Sequence, residues 1–434
     1  MKRLLLLFLL NPIFQHLASA QESFTFIQIE DGILEFLQSE DDEGITKFQK
    51  FIEDEVLVNN LSFLRHLRAE LGEYSNGLGV ESTPTGLSFF LMGQGEGKQL
   101  NVSIAGGKII DLQMAATVPG NSITIANIGA VFDSLEAVGY AGLISVIKNG
   151  EPIIVRPFGM ANKTLEIPNS IDTIFGVGSR PIDFTIAAII LLHQQGQLNL
   201  DASINTVYPH IPADKAAITF RHLMNGQSGL PDFFHTDEDW NPDLAWISRE
   251  VAVQRLFDSD LLFKPGTDQR HSHAAYGLLA AIVEQLSGVE FYDYLRQHFF
   301  DRAEMNRTGE YGELRGLNYS DFAEGGGPEL VGSPNIPPNW GPTSWLVKGS
   351  GGMYSTLGDL QKFYQLIRSG EVLKADNNRN FWSTSVNLDG SMRGFELFSI
   401  SAPAEQNEVY LFLNNIPDRQ GVRQVFTALE SLIF

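Results

Sequence analysis

The most constraining feature of this chain is that one long segment carries strand patterns at both ends and helical patterns in its middle. Near its start, Gly142 to Lys148 and Ile153 to Gly159 are apolar runs on either side of Asn149-Gly150. That dipeptide accepts the positive φ angles a two-residue hairpin needs. Ile128 to Val138, just before the hairpin, has its apolar residues at helical spacing. At the far end, Val409 to Leu413 reads as a strand and Arg419 to Phe434 as a closing helix. Between them lie two long apolar-faced helices, Phe184 to Gln195 stopped at Gly196 and Tyr276 to Leu286 stopped at Gly288. A lone strand cannot bury its faces. The order therefore predicts one sheet built from both ends of the segment, with a helical lobe inserted between.

A separate pattern precedes it. From Ser23 to Gly72 apolar residues recur on helical faces, as in Ile33, Phe36 and Leu37, then Phe48, Phe51 and Ile52, then Leu61, Leu64 and Leu67. From Gly86 to Ala116 the period changes to two, with turns at Gly93 to Gly97 and Gly106-Gly107, which reads as antiparallel strands. Pro119-Gly120 closes this part, giving a small α+β module over residues 21–120 and a larger domain over 121–434. The module holds no grouping of side chains that suggests chemistry and reads as a packing or binding appendage. Residues 1–20 read as a signal peptide: Lys2 and Arg3, the apolar run Leu4 to Leu10, then Ala18-Ser19-Ala20 for cleavage. The run breaks at Asn11-Pro12, too short for a span, so the mature chain is expected to be exported, periplasmic or secreted, without a stable membrane span.

Charge and composition narrow the chemistry. With 30 Lys+Arg against 52 Asp+Glu the net charge is −22, which repels phosphate backbones and argues against a nucleic-acid partner. No cysteine is present, so disulfides, thiolate nucleophiles and cysteine-ligated metals are excluded, and no cofactor is implied. A nucleophile must be an oxygen or a lysine.

Five stretches occur in a specific order: Thr173-Ile-Phe-Gly-Val-Gly-Ser179 leading into a helix; Leu223-Met-Asn-Gly-Gln-Ser-Gly-Leu-Pro-Asp232; Phe263-Lys-Pro-Gly266; Tyr276-Gly-Leu-Leu279 closing at Ser287-Gly288; and Gly351-Gly-Met-Tyr-Ser-Thr-Leu-Gly-Asp359. From about Ile128 to Phe434 the chain resembles the serine β-lactamase and penicillin-binding superfamily, in its class C and D-alanyl-D-alanine carboxypeptidase-like branch. The resemblance implies an α+β fold, a β-lactamase/transpeptidase-like domain with an antiparallel sheet flanked by helices plus a helical lobe. The preceding module resembles small helix-plus-sheet units found ahead of some secreted serine hydrolases.

In that family a serine at a helix N-terminus is flanked by a lysine one turn later, which the helix geometry puts on the same face. A Tyr-x-Asn element relays the proton, and a Lys-Thr-Gly or His-x-Gly strand binds the substrate carboxylate. Carried over by position, the serine is Ser179, but Ile182 stands where the lysine belongs, and no lysine lies between Lys163 and Lys215. His271-Ser272-His273 replaces Tyr-x-Asn, and Leu388 replaces the terminal cation ahead of Gly390-Ser391. The oxyanion-hole amides implied are those of Ser179 and Ser391.

A missing general base typically costs about 10²- to 10⁴-fold, so the primary expectation is a catalytically degenerate, penicillin-binding-like pseudoenzyme that acts by binding a small molecule, a peptide or a cell-wall fragment. The alternative is an active esterase or amidase with Ser179 as nucleophile and His271 as base, since a histidine with a pKa near 6.5 is competent at neutral pH. Ser179 as a plain helix N-cap is a blander role. A third reading makes His271 and His273 metal ligands, with His222, His235 or Asp237-Glu238-Asp239 as the missing partner, and is disfavoured for want of a third ligand. Pro181 suits the first turn of a helix, so the helix start survives without its chemistry. Trp340, Trp345 and Phe233-Phe234 are candidate cleft walls, with buried core the favoured role for most.

Overall fold

The computed structural model describes residues 28–29, 32–33, 36, 43–71, 80–83, 86–92, 97–114, 123–236, 239, 245–327, 331–374, 384–386, 393–402, 406–417 and 419–433. The signal peptide expected over residues 1–20 lies outside them. Contacts divide the chain into two compact units, Met1–Val118 and Pro119–Phe434.

In the first unit, α1 (Glu43–Phe48) and α2 (Asp54–Leu71) precede a four-stranded antiparallel sheet of β1 (Val80–Thr83), β2 (Gly86–Met92), β3 (Gly97–Ala105) and β4 (Lys108–Met114), in that order. Register sets Leu87 opposite Val102 and Val102 opposite Leu112, so alternate residues of three strands line one apolar face. Ile33, Phe36, Phe48, Ile52 and Leu64 pack against that face. Among the described strands of this unit, β1 was not foreseen, its four residues being too short to display an alternation.

The second unit begins with α3 (Ile128–Ala137), β5 (Ala141–Lys148), β6 (Glu151–Phe158), the small pair β7 (Met160–Asn162) and β8 (Ile167–Pro168), and β9 (Phe175–Gly176). The helical lobe follows with α4 (Pro181–Gln194), α5 (Phe220–Met224), α6 (Arg249–Asp258), α7 (His273–Ser287) and α8 (Phe291–Leu295). Then come β10 (Gly309–Glu310), β11 (Met353–Ser355), α9 (Leu357–Ser369), β12 (Thr384–Val386), β13 (Glu396–Ala402), β14 (Asn407–Asn415) and α10 (Arg419–Ile433). The main sheet runs β12-β13-β14-β5-β6, so its strands do come from both ends of the segment. All its pairings are antiparallel. Asn149 and Gly150 take φ of 53° and 80° at the β5–β6 hairpin, the left-handed values that such a turn requires.

Both faces of the central strands β5 and β14 are covered, which explains why they read as unbroken apolar runs rather than alternating ones. Along β14, Val409, Leu411 and Leu413 face a core with Phe132 of α3 and Val422, Phe426 and Leu429 of α10. Tyr410 and Phe412 point the other way, into the larger core built by α4, α7 and α9. Fully burying each such side chain stabilises by about 1.5–3 kcal/mol, so the sheet is a rigid floor. A smaller sheet, β10-β11-β9, stands beside it, and β9 leads directly to Ser179.

Glu310 on β10 pairs with Lys348 at 3.0 Å, both side chains 13% exposed. Burial pushes its carboxyl up from the usual 4.5, the attraction of Lys348 and Arg315 opposing and Glu313 adding to the rise. A raised folded-state pKa means the native chain binds that proton more tightly than the unfolded one. Its contribution is complete below about pH 4.5 and is lost as pH rises through the folded value. Glu310→Gln is therefore expected to flatten the decline in unfolding free energy on going upward from pH 4.5, measured by urea titration. An unchanged slope would show that Glu310 is well solvated.

Candidate active site

Ser179 sits in the turn between β9 and α4, just after Gly178, whose φ of 55° bends the chain sharply there. Pro181 opens α4, where its fixed φ and missing N–H suit the first turn. The N-cap falls at Arg180, one residue beyond Ser179, which differs from the simple capping role considered for the serine. The turn is pinned from below: the Val177 N–H donates to the Met353 carbonyl of β11 at 3.1 Å, and the Arg180 N–H to the Val177 carbonyl at 3.2 Å.

The Arg180 side chain, 1% exposed, is buried in the core. It donates to Tyr364 Oη of α9 at 2.5 Å, to Ser399 Oγ of β13 at 2.6 Å and to Asp183 Oδ2 at 3.1 Å. Tyr364 in turn donates to Asp183 Oδ2 at 2.5 Å. Burial opposes its charge, but Tyr364 and Asp183 prevail and raise the guanidinium above its ordinary value. One residue past the serine, a cation thus ties α4 to α9 and to the main sheet.

The opposite wall is assembled from loops. The Arg270 N–H donates to the Gly226 carbonyl at 2.7 Å, that of Gly266 to Gln227 at 2.9 Å, and that of Leu262 to Gly229 at 2.7 Å. These bonds knit the 223–232 and 263–266 stretches into one layer leading to α7. Ser272 caps α7 by accepting from the Ala275 N–H at 3.0 Å, and its hydroxyl donates to the Pro231 carbonyl at 2.7 Å. His273 is the first residue of α7, and Asp232 grips it twice through Oδ1, at 2.8 Å from the backbone N–H and at 2.8 Å from Nδ1.

Held in this way, His273 presents Nε2 to Ser179 Oγ at 3.3 Å. With the Nδ1 proton donated to the Asp232 carboxylate, Nε2 is the acceptor for the serine hydroxyl, a tautomer assigned from the hydrogen-bond network. Burial raises the Asp232 carboxyl, but bonding to and charge on His273 outweigh it and hold the group below the ordinary carboxylate range. Phe233, 37% exposed, stacks on the His273 ring with centroids 4.6 Å apart and planes at 11°. Serine, imidazole and carboxylate are joined by two consecutive hydrogen bonds.

The imidazole set against Ser179 is that of His273, two residues on from the histidine that the resemblance designates as base. The reason is where the α7 cap falls and what grips it: His273 is inside the capped first turn and fixed by Asp232 from 41 residues away, while His271 lies ahead of the cap. Desolvation by its neighbours, with His273 close by, pushes His271 down to about 4 against the pull of Asp232, which makes it neutral at pH 7 but a weak base. Its ring meets that of His273 edge-on at 4.6 Å. Ile182, at the lysine position, is partly buried and packs against the larger core. Leu388 and Ser391, with the oxyanion amide of the latter, lie outside the described residues.

Of the metal-ligand candidates, His222 serves the N-terminal cap of α5, and His235 stacks on Phe234 and lies tilted against Phe233. Asp239 pairs with Arg255, and Asp237 and Glu238 lie outside the described residues. The carboxylate that joins His271 and His273 is Asp232, at the end of a motif noted in the sequence but given no role. Its position straight after Leu-Pro was the available signal. Trp340, Trp345 and Phe234 are core, at 7%, 8% and 7% exposure.

Known proteins agree with this architecture. PbpX of Bacillus subtilis, provisionally named a penicillin-binding protein, is 25% identical over 315 residues, covering 69% of this chain and 76% of its own. D-aminopeptidase of Gluconobacter oxydans is 25% identical over 231 residues, 53% of this chain but only 42% of its own. Among solved structures, the D-amino acid amidase of Ochrobactrum anthropi superposes with a TM-score of 0.54 at 21% identity, covering 70% of this chain and 99% of that one. Residues 130–394 match the β-lactamase family model, a stretch that holds β5, β6, the Ser179 turn and the loops that position Asp232 and His273, so the chain belongs to the β-lactamase family.

Proposed function

We propose that the domain over residues 121–434 is a serine hydrolase of the esterase or amidase type in which Ser179 is the nucleophile, His273 the base and Asp232 the group that orients and charges-balances the base. The observation that carries this reading is the continuous hydrogen-bonded line from Ser179 Oγ to His273 Nε2 and from His273 Nδ1 to Asp232 Oδ1, at 3.3 and 2.8 Å. The family's lysine is replaced by Ile182, and a histidine fixed by a carboxylate supplies the proton acceptor instead.

In the acylation step the Ser179 oxygen adds to a substrate carbonyl carbon while its proton passes to His273 Nε2. Asp232 stabilises the imidazolium so formed. The carbonyl electron pair resides on oxygen, facing the Ser179 amide and, by the resemblance, that of Ser391. Collapse breaks the bond to the leaving alkoxide or amine, which takes the proton back from His273. A water then repeats the sequence, giving up a proton to His273 and releasing the acid and Ser179. The amide substrates named for D-aminopeptidase and D-amino acid amidase make D-amino acid amides and short peptides the first panel to try, beside simple esters. The Lys2-Arg3 leader supports export, which would put such chemistry outside the cytoplasm.

The test is intact-mass spectrometry after incubation with a fluorophosphonate, alongside Ser179→Ala. A single adduct lost in the alanine variant is the expected result. No adduct on folded protein would return the domain to a catalytically silent, ligand-binding role, the reading suggested by the missing lysine.

A further inference from the structure

His271 is the neighbouring histidine that the proposed reaction does not use, yet its ring lies directly against that of His273. One ring nitrogen of His271, one of His273 and a carboxylate oxygen of Asp232 all lie within 4.8 Å of one another. Two imidazoles and a carboxylate are the ligand set that zinc takes in open, three-ligand sites, with nitrogen and oxygen distances of about 2.0–2.2 Å. A trio already this close needs side-chain rotations rather than backbone movement to converge on one ion. The backbone favours it: Ser272 is fixed as the cap of α7 and Asp232 is bonded to the His273 N–H, so the supports of the three ligands are bound to one another. The side chains are also reachable: His271 keeps exposed surface although neighbouring groups crowd its ring, and Asp232 and His273 are half-buried.

From this geometry we infer that Asp232, His271 and His273 form a site for a zinc-like divalent ion, and that an ion bound there switches the proposed hydrolase off. The inference rests on the serine hydrolase reading for its effect but not for the binding itself. Whichever His273 nitrogen the ion takes, the triad is broken. At Nδ1 it takes that nitrogen's lone pair, so the ring proton moves to Nε2 and turns it into a donor facing Ser179, and at Nε2 it occupies the lone pair that faces Ser179. His271 adds the second nitrogen ligand, which a lone Asp-His pair lacks.

The experiment uses the full chain stripped with a chelator, zinc chloride alone as probe, and equilibrium dialysis with a chromogenic chelator as competitor. One zinc per chain is expected, with affinity reduced roughly tenfold or more in both His271→Ala and Asp232→Asn. Equal zinc affinity in wild type and His271→Ala, with both folded by circular dichroism, would overturn the site. In parallel, zinc is expected to slow fluorophosphonate labelling of Ser179 in wild type. In His271→Ala, read against its own zinc-free rate, that sensitivity is expected to shrink by the same tenfold. Labelling that zinc fails to slow while the site is occupied would overturn the switching claim. Binding with no labelling under any condition would sink the hydrolase reading and leave the metal site intact.

Discussion

Replacing Asp232 by asparagine is expected to slow acylation of Ser179 by about four orders of magnitude with the fold preserved. The physical cause is tautomer choice. The carboxylate accepts from Nδ1 at 2.8 Å and so leaves the Nε2 lone pair for the serine. An amide in its place offers an N–H to Nδ1, moves the ring proton to Nε2 and turns that nitrogen into a second donor facing a hydroxyl. It also removes the charge that balances the imidazolium formed during transfer. The measurement is the second-order rate of fluorophosphonate labelling. A loss below tenfold would mean that His273 does not act as the base, and comparison with His271→Ala would show whether the neighbouring ring does.

The second large effect concerns stability. Arg180→Met is expected to cost about 3–5 kcal/mol in unfolding free energy, because it leaves the Asp183 carboxylate in the core without its cation. Tyr364 and Ser399 lose a donor in the same step. Methionine fills much of the volume, so the cost is mainly that of an uncompensated charge rather than of a cavity. The double variant Arg180→Met with Asp183→Leu is expected to recover a large part of the loss, since neutral packing often replaces a buried ion pair without penalty. Urea titration of the three proteins tests this. If the single variant loses under about 1 kcal/mol, water reaches Asp183 and the network is not what anchors the Ser179 turn.

Much of the fold was legible because its signals are local. Apolar periodicity gave α4 and α7 within a few residues of their ends, since Pro181 starts one and Gly288 stops the other with a left-handed cap. The Asn149-Gly150 turn gave β5 and β6, and the runs at each end of the segment gave a sheet of mixed parentage. The short β1 escaped because four residues carry no period.

The candidate site was legible only in part, and the division has a physical reason. By itself the sequence determined the fold family, the serine and the absence of a lysine one turn later, because a motif on one helix is written at fixed spacing. Which imidazole meets Ser179 was not written there: His271 and His273 differ by two positions, and their ring directions depend on where the α7 cap falls. Asp232 decides it from 41 residues away, through a loop layer held by bonds such as Arg270 to Gly226. Hydrogen bonds between segments distant in sequence leave no periodic trace, so only the tertiary structure could turn a damaged lysine motif into a line of serine, histidine and aspartate.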